Sequence, residues 1–461
     1  MNSKENLKEY LIKEFERNKE FFKNNSLPEI FEKRLEAIKY LSDFGFPTRK
    51  DEEWRFTNIN PIIKNNYSSL NINKSDTFNT RINSILKSEI NKHLIKNLNV
   101  NLIVIINGFY SEKHSVIKEK IPSAQISNIA DFQKGNDDLI KQYFNKSLGN
   151  IKDAFTAINM AFSTNGAFIY IPKNVSAKNP FHILNLNISE ENTLINSRNI
   201  IIADVGSDIT VLESYHNISD SGLQNSNFIN SITEIFLKPN SRVHYYKIQK
   251  DNNLPNIVHT TQVIQERDSK FKSFNLTLNG TIVRNNLNSL LIGENSECIF
   301  NGIYVGDNGS LIDNHTLVDH AVPNCYSNEY YKGIISDESK CVFNGKILVR
   351  KDAQKTNAYQ SNKNILISDK ATINAKPQLE IFADDVKCSH GATSGRLNAD
   401  ELFYMRARGI PEKIAQRLLL FAFLTDVVGL GNNYSDSKKY RELIDKCIIK
   451  VISEKINSIN L

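Results

Sequence analysis

Two stretches of this chain spell almost the same word: Ser296-Glu-Cys-Ile-Phe-Asn-Gly302 and Ser339-Lys-Cys-Val-Phe-Asn-Gly345, with Cys298 and Cys341 offset by 43 residues. The same punctuation recurs around them. An acidic residue, Asn or Gly precedes a Ser, and alternating apolar residues follow, as in Gly206-Ser-Asp-Ile-Thr-Val211, Asn240-Ser-Arg-Val-His-Tyr245, Asp268-Ser-Lys-Phe271 and Gly309-Ser-Leu-Ile312. Repeats of this kind indicate a solenoid, in which each unit buries its apolar face against the next. The units read as strands, which points to a β-helix. Their spacing is uneven, 34 residues from Gly206 to Asn240 and 28 from Asn240 to Asp268, which suits coils joined by turns of variable length. A β-sandwich also yields many short strands, but it has no need of the repeat. Cys298 and Cys341 hold the same place in their units, so both are expected to point inward and to stack.

The flanks change character. Leu7, Leu11 and Phe15 fall at i+4 steps, and Ile30, Phe31, Leu35, Ile38 and Leu41 form a second helical stripe that stops at Gly45-Phe-Pro47. The segment Pro47–Thr57 holds Arg49, Lys50 and Arg55 beside Trp54 and Phe56; an ordered amphipathic helix entry is expected there, ahead of an anion site. Residues 60–100 give little beyond a few short elements. Leu102–Ile106 followed by Asn107-Gly108 reads as strand and turn, and Ala157–Phe162 as a short helix before Gly166. After about 395 the helical period returns: Asp400–Arg408 closing at Gly409, Ile414–Val428, and a stripe through Tyr440, Leu443, Ile444, Cys447, Ile448, Val451 and Ile452. Helices at both ends are expected to cap the solenoid's open ends. The expected organisation is an N-terminal helical domain over 1–124, a parallel β-helix core over 125–393 and a C-terminal helical domain over 394–461.

Composition excludes several classes. Five cysteines, an odd number without any Cys-x-x-Cys, do not make a disulfide scaffold or a zinc ribbon. A formal charge of +6 over 461 residues is too mild to imply nucleic-acid binding. The apolar run Leu418–Leu424 is far short of a membrane span. Residues 1–20 lack a signal-peptide core and match five Lys/Arg with five Glu, unlike a transit peptide, so a cytoplasmic location is expected. There is no Walker loop, no dinucleotide fingerprint and no His-Glu-x-x-His.

Chemistry concentrates in Lys376–Gly395. On an extended strand, residues two apart share a face, so Cys388 and His390 project together, with Val386 and Asp384 further along. A thiolate beside an imidazole suits iron or zinc, or an activated thiol; from these residues alone, a buried Cys with a hydrogen-bonded His at the end of a last strand comes ahead of either. Two ligands alone do not complete a metal site. Asp384 and Asp385 face opposite ways if extended, which disfavours a paired-carboxylate glycosidase. His315 and His320 are also on opposite faces. Cys298, Cys341 and Cys447 read as core residues; Cys325 is left unassigned.

The run Lys376–Gly395, followed by Glu401-Leu-Phe-Tyr-Met-Arg-Ala-Arg-Gly-Ile410, resembles the SufB/SufD family of iron–sulfur cluster assembly proteins. Asp313–His320, Tyr331-Lys-Gly333, Val342-Phe-Asn-Gly-Lys346 and Ala353-Gln-Lys-Thr356 are similar to the same family's core, and Pro47–Thr57 resembles its SufD branch. The resemblance implies a mainly β fold, a right-handed parallel β-helix between N-terminal and C-terminal α-helical domains. It implies a non-enzymatic subunit that pairs with a SufB-like scaffold and a SufC-like ATPase, and a nascent iron–sulfur cluster built at the interface with the scaffold. His390 matches the histidine thought to contribute there, as a transient metal ligand shared with the partner, and Cys388 matches the neighbouring cysteine. The resemblance places the scaffold's assembly cysteine near Asn362; no Cys occurs between Cys341 and Cys388, which argues against this chain being the scaffold. No cofactor is expected to be held permanently; reduced flavin is associated with the complex, and nothing in the sequence marks a flavin site. A homodimer of the isolated chain is expected. The alternatives are a SufB-like scaffold that holds the cluster itself and, from another class, a β-helix carbohydrate-active enzyme.

Overall fold

A computed structural model of the chain describes residues 6–67, 69–70, 72, 80–134, 138–144, 146–149, 153–188, 192–218, 227–251, 255–429 and 439–459. Its centre is a parallel β-solenoid. From Thr193–Ala203 onward, strands alternate between two ten-stranded sheets, and each but the last two pairs with the strands two before and two after it in sequence. One sheet ends with Leu311–His320, Lys340–Val349 and Thr372–Ile381; the other ends with Tyr326–Ile335, Asn357–Leu366 and Lys387–Gly395. Glu297 pairs with Tyr326 and Leu311 with Lys340, so a coil here takes 29 residues. The parallel ladder also draws in Asn101–Ile106, upstream of residue 125, through its pairing with Phe181–Asn187.

The recurrent Ser marks a turn for a physical reason. The residue before it is left-handed at Gly206 (φ 68°), Asn240 (60°), Asp268 (58°), Asn295 (59°) and Gly309 (75°). Gly and the short polar Asn and Asp tolerate that conformation best. The Ser that follows is buried, and at three of these five turns its hydroxyl donates to the carbonyl three residues back: Ser241 to Lys238 (2.7 Å), Ser269 to Glu266 (2.5 Å) and Ser296 to Gly293 (2.5 Å). From there alternate residues enter the core, among them Val243, Tyr245, Phe271, Cys298, Phe300, Cys341 and Phe343.

Cys298 and Cys341 both point inward, as expected, but they do not stack on each other. Cys298 pairs with Phe271 and Ser327 in one sheet, and Cys341 with Ile312 and Ile373 in the other. Their separation spans about one and a half coils, so equivalent turn environments recur on opposite sheets.

The helices cover faces rather than both ends. Helices Leu7–Arg17, Lys19–Asn24 and Pro28–Phe44 pack through Leu11, Phe15, Phe22 and Ala37 onto the fully buried helix Ala154–Phe162, which lies on Leu194, Phe228 and Val258 of one sheet. Buried Arg34 donates to the carbonyls of Met160, Ala161 (2.8 Å) and Ser163 (2.7 Å), capping that helix's C-terminus where the dipole favours a cation. The expected helix entry at Pro47–Thr57 is a single 3₁₀ turn, Glu52–Trp54, that seats Trp54 against Phe155. At the N-terminal end of the solenoid, Tyr110, Ile117, Ile121 and Ile126 close the core. Helices Glu412–Gly429 and Lys439–Ser458 lie across the outer face of the second sheet, where Leu420, Leu424, Ile448 and Ile452 meet Tyr246, Phe274, Ile303 and Ile334. Lys332 pairs with Asp426 and buried Lys455 with Asp307, each at 2.7 Å, fixing that placement. The expected helical cap on the C-terminal end is therefore absent among the described residues. A sheet buried on one face by its own solenoid still needs its outer apolar face covered, and these helices serve that need.

Candidate functional site

The uncovered end is where the last strands of both sheets stop. Among the described residues, Thr372–Ile381 pairs only with Lys340–Val349, and Lys387–Gly395 only with Asn357–Leu366. Burial collapses across them: Asn357–Leu366 alternates buried and exposed residues, whereas Lys387–Gly395 is exposed at every position except Cys388. Lys387 N–H donates to Thr356 O (2.9 Å). In a parallel pair successive residues direct their backbone groups to opposite sides, so Cys388, His390, Ala392 and Ser394 turn theirs toward the open edge. Phe382 (64% exposed) and Ile381 flank this edge.

Cys388 and His390 share one face of the last strand, as the period of two required. Each stands at the end of an inward column. Cys388 follows Ala358, Ser327 and Cys298; His390 follows Gln360, Glu329 and Phe300. Cys388 is half-buried against Val349, Ala353, Ala358 and Ala383. Burial pushes its thiol above the ordinary value, offset in part by the backbone of Ala358. The protonated thiol is therefore the resting form, and a bound cation or partner charge is needed to favour the thiolate. His390 is exposed, and among the described residues it makes no hydrogen bond.

Behind His390 lies a pair of residues that the sequence did not single out. Glu329 is completely buried; it accepts hydrogen bonds from Thr316 Oγ1 (2.5 Å) and Gln360 Nε2 (3.2 Å), and its Oε1 has no partner. Burial pushes its carboxyl up to about 7, against the pull of those two donors. A lone Glu in Asn328-Glu-Tyr330 carries no local signal of this, because its neighbours come from other coils. Asn362, at the place where the resemblance puts a scaffold cysteine, is buried and bonded through Nδ2 to Tyr304 (3.0 Å) and through Oδ1 to Asn364 (2.7 Å). An amide network with no thiol occupies that position.

Other candidates resolve into structure. His315 stands outward between Glu53 (3.1 Å) and Asp313 (3.0 Å), while His320 is buried on Ser327 Oγ (2.9 Å), so no ion can bridge them. Burial would raise the Asp313 carboxyl, but His315 and Arg284 outweigh it and hold it down to about 2. Cys325 is buried, and Cys447 is half-buried in the C-terminal helix core.

Two family models match in succession. The SufBD protein N-terminal region covers residues 5–183, and the SufBD core domain of SUF-system FeS cluster assembly covers residues 186–423. The chain belongs to the SufBD family of iron–sulfur cluster assembly proteins. Similar SufBD proteins include an iron–sulfur cluster assembly SufBD family protein of Synechocystis, 30% identical over 410 residues and 86% of each chain. The iron–sulfur cluster assembly protein SufD of Escherichia coli is 27% identical over 393 residues, 85% of this chain and 86% of its own. SufD of Bacillus subtilis is 26% identical over 403 residues, 86% of this chain and 88% of its own. In this SufBD chain the junction of the two matches falls within the strand Phe181–Asn187, so the core-domain match begins inside the solenoid. No described helix is long and apolar enough to cross a membrane.

Proposed function

We propose that this chain is the SufD-like, non-enzymatic subunit of a cytoplasmic iron–sulfur assembly complex. It pairs with a SufB-like scaffold through the open end of the solenoid and binds a SufC-like ATPase through its C-terminal helices. His390 and Cys388 face the scaffold across the edge where the nascent cluster forms. The observation that carries this reading is the unpaired edge of Lys387–Gly395 beside exposed Phe382. A long exposed strand edge invites pairing with another chain, and an edge carrying a thiol and an imidazole offers that chain ligands for iron. The amide network at Asn362 favours the SufD-like role over a scaffold that holds the cluster itself.

Co-expression with the SufB-like and SufC-like proteins of the same source tests the reading. The three should copurify, and Ala392→Pro, which removes one outward N–H from the edge, should release the scaffold while leaving the free chain folded. Recovery of the chain with neither partner overturns the proposal. So does an Ala392→Pro chain that folds and keeps its scaffold undiminished. In the absence of the scaffold the same edge is expected to support a homodimer, which Ala392→Pro should also dissociate.

A further inference from the structure

Far from the open end, six strands back along the same sheet, a second group of ligating side chains gathers. In the strand Asp208–Asn217, Ile209 and Val211 enter the core, so the alternate residues Ser214 and His216 lie on the outer face. Helix Thr80–His93 crosses this face, its Leu86 and Ile90 packed with Leu184 and Leu186. It ends with His93 stacked on His216, ring centroids 3.4 Å apart and planes 22° from parallel. Asp251, just past the strand Arg242–Gln249, places Oδ2 3.0 Å from His216 Nδ1. One ligand atom from each of His93, His216 and Asp251 lies within 4.8 Å of the others. Glu89, one helical turn before His93, has Oε2 3.2 Å from His93 Nε2.

The surroundings are those of a ligand set more than of a simple ion pair. His216 Nε2 lies 3.1 Å from Ser214 Oγ, which is 2.8 Å from Nε2 of buried His182. A ligating histidine is commonly held by such an outer hydrogen bond, which fixes the ring and its tautomer.

We propose that His93, His216 and Asp251 form a binding site for a divalent transition-metal ion such as Zn2+, with Glu89 in reach as a fourth ligand. Two imidazoles and carboxylates are a borderline donor set suited to zinc or iron(II). Metal–nitrogen bonds of about 2.0–2.1 Å bring neighbouring ligand atoms to roughly 3.3 Å in a tetrahedron. Closing the site thus takes a rotation of the His93 ring out of the stack, at the last residue of its helix, and a tautomer shift that moves the proton from His216 Nδ1, facing Asp251, to Nε2, where Ser214 Oγ accepts it. The bound ion would tie helix Thr80–His93 to two successive coils of the solenoid.

The test uses the full chain, without a polyhistidine tag, stripped with chelator and titrated with Co2+ and then Zn2+. One equivalent of Co2+ should give a visible ligand-field spectrum that Zn2+ abolishes. His93→Ala and Asp251→Asn should each weaken binding by about tenfold or more, the loss usual even for outer-sphere partners. A Cys388→Ala/His390→Ala chain should bind as the unaltered one does. Absence of a cobalt spectrum in the unaltered chain overturns the site, and so does unchanged affinity in the two single variants. Asp251→Asn is nearly isosteric and lies outside regular structure, so it decides the question even if His93→Ala does not fold.

Discussion

Glu329 lies two ladder steps behind His390 in a single inward column, with Gln360 between them. The exposed imidazole at the solenoid's end is thus backed by a buried carboxyl whose proton leaves near neutrality. The sign of its effect on stability follows from its raised folded pKa of about 7. As pH rises from the ordinary carboxyl range toward 7, the unfolded chain is already ionised while the folded chain keeps its proton. Stability therefore falls across that window and levels off above it. Glu329→Gln should remove this slope, leaving the variant more stable than the unaltered chain at pH 8 and little changed at pH 4.5. Denaturant melts at the two pH values check it; parallel pH profiles for the two chains would refute it.

Trp54 joins the N-terminal helices to the solenoid. The Arg284 guanidinium carbon sits 3.7 Å from its ring centroid, while Arg284 Nη1 donates to Glu53 O and to Asp313 Oδ2, each at 2.7 Å. Trp54→Ala removes a buried indole and uncovers Arg284, and should cost about 3–5 kcal/mol in chemical denaturation. Trp54→Phe keeps a ring under the guanidinium and should lose clearly less. Equal losses would show that the stacking contributes nothing.

The C-terminal helices present a surface of their own. Helix Ala399–Ala407 buries none of its residues; Phe403 is 73% and Tyr404 59% exposed, and Ile414 and Leu418 continue the apolar surface. Deleting residues 396–461 would strip Tyr246, Phe274, Ile303 and Ile334 of their cover, so deletion does not isolate docking from folding. Phe403→Ser and Leu418→Ser are the cleaner changes. Each should leave the melt within the range usual for surface substitutions, about 0.5 kcal/mol, and together they should abolish copurification of the SufC-like ATPase. Full ATPase recovery with the double variant would place its docking surface elsewhere.

The repeat and the breaks before Ser were visible in the sequence because each is local: a left-handed residue in the turn, a buried Ser, then an inward apolar residue. What the repeat did not reveal is its unit. Cys298 and Cys341 share flanking residues because each follows a turn with a left-handed residue, Asn295 before the one and Asp337 before the other, and the offset alone does not say whether one coil or one and a half separates them. The pairing of Cys388 with His390 was legible from strand period alone. Gln360 and Glu329 were not, since they reach His390 only through the register of coils of unequal length, 31 residues from Tyr326 to Asn357 and 30 from Asn357 to Lys387. The apolar stripes of the last two helices were equally plain, but a stripe does not say whether it covers a face or an end. The charges that settle it, Asp426 on Lys332 and Lys455 on Asp307, are long-range pairs.

The edge residues carry the decisive functional expectation. His390 is exposed and, among the described residues, unbonded, so His390→Ala leaves the Gln360–Glu329 contact and every other rung in place. Cys388 is half-buried among alanines and Val349, so Cys388→Ala keeps an apolar contact that Ser would not. Both variants should melt close to the unaltered chain and copurify with the SufB-like and SufC-like partners. Iron and sulfide on the complex, measured after anaerobic purification, should fall severely for His390→Ala, because an exposed imidazole at the pairing edge has no other role in the fold. Cys388→Ala should lose less: its resting form is the thiol, so it becomes a good ligand only where the partner's charge or the metal draws off the proton. Unaltered iron and sulfide in a well-folded His390→Ala complex would remove His390 from the cluster site. A deeper loss with Cys388→Ala than with His390→Ala would make the thiolate the principal ligand that this chain supplies.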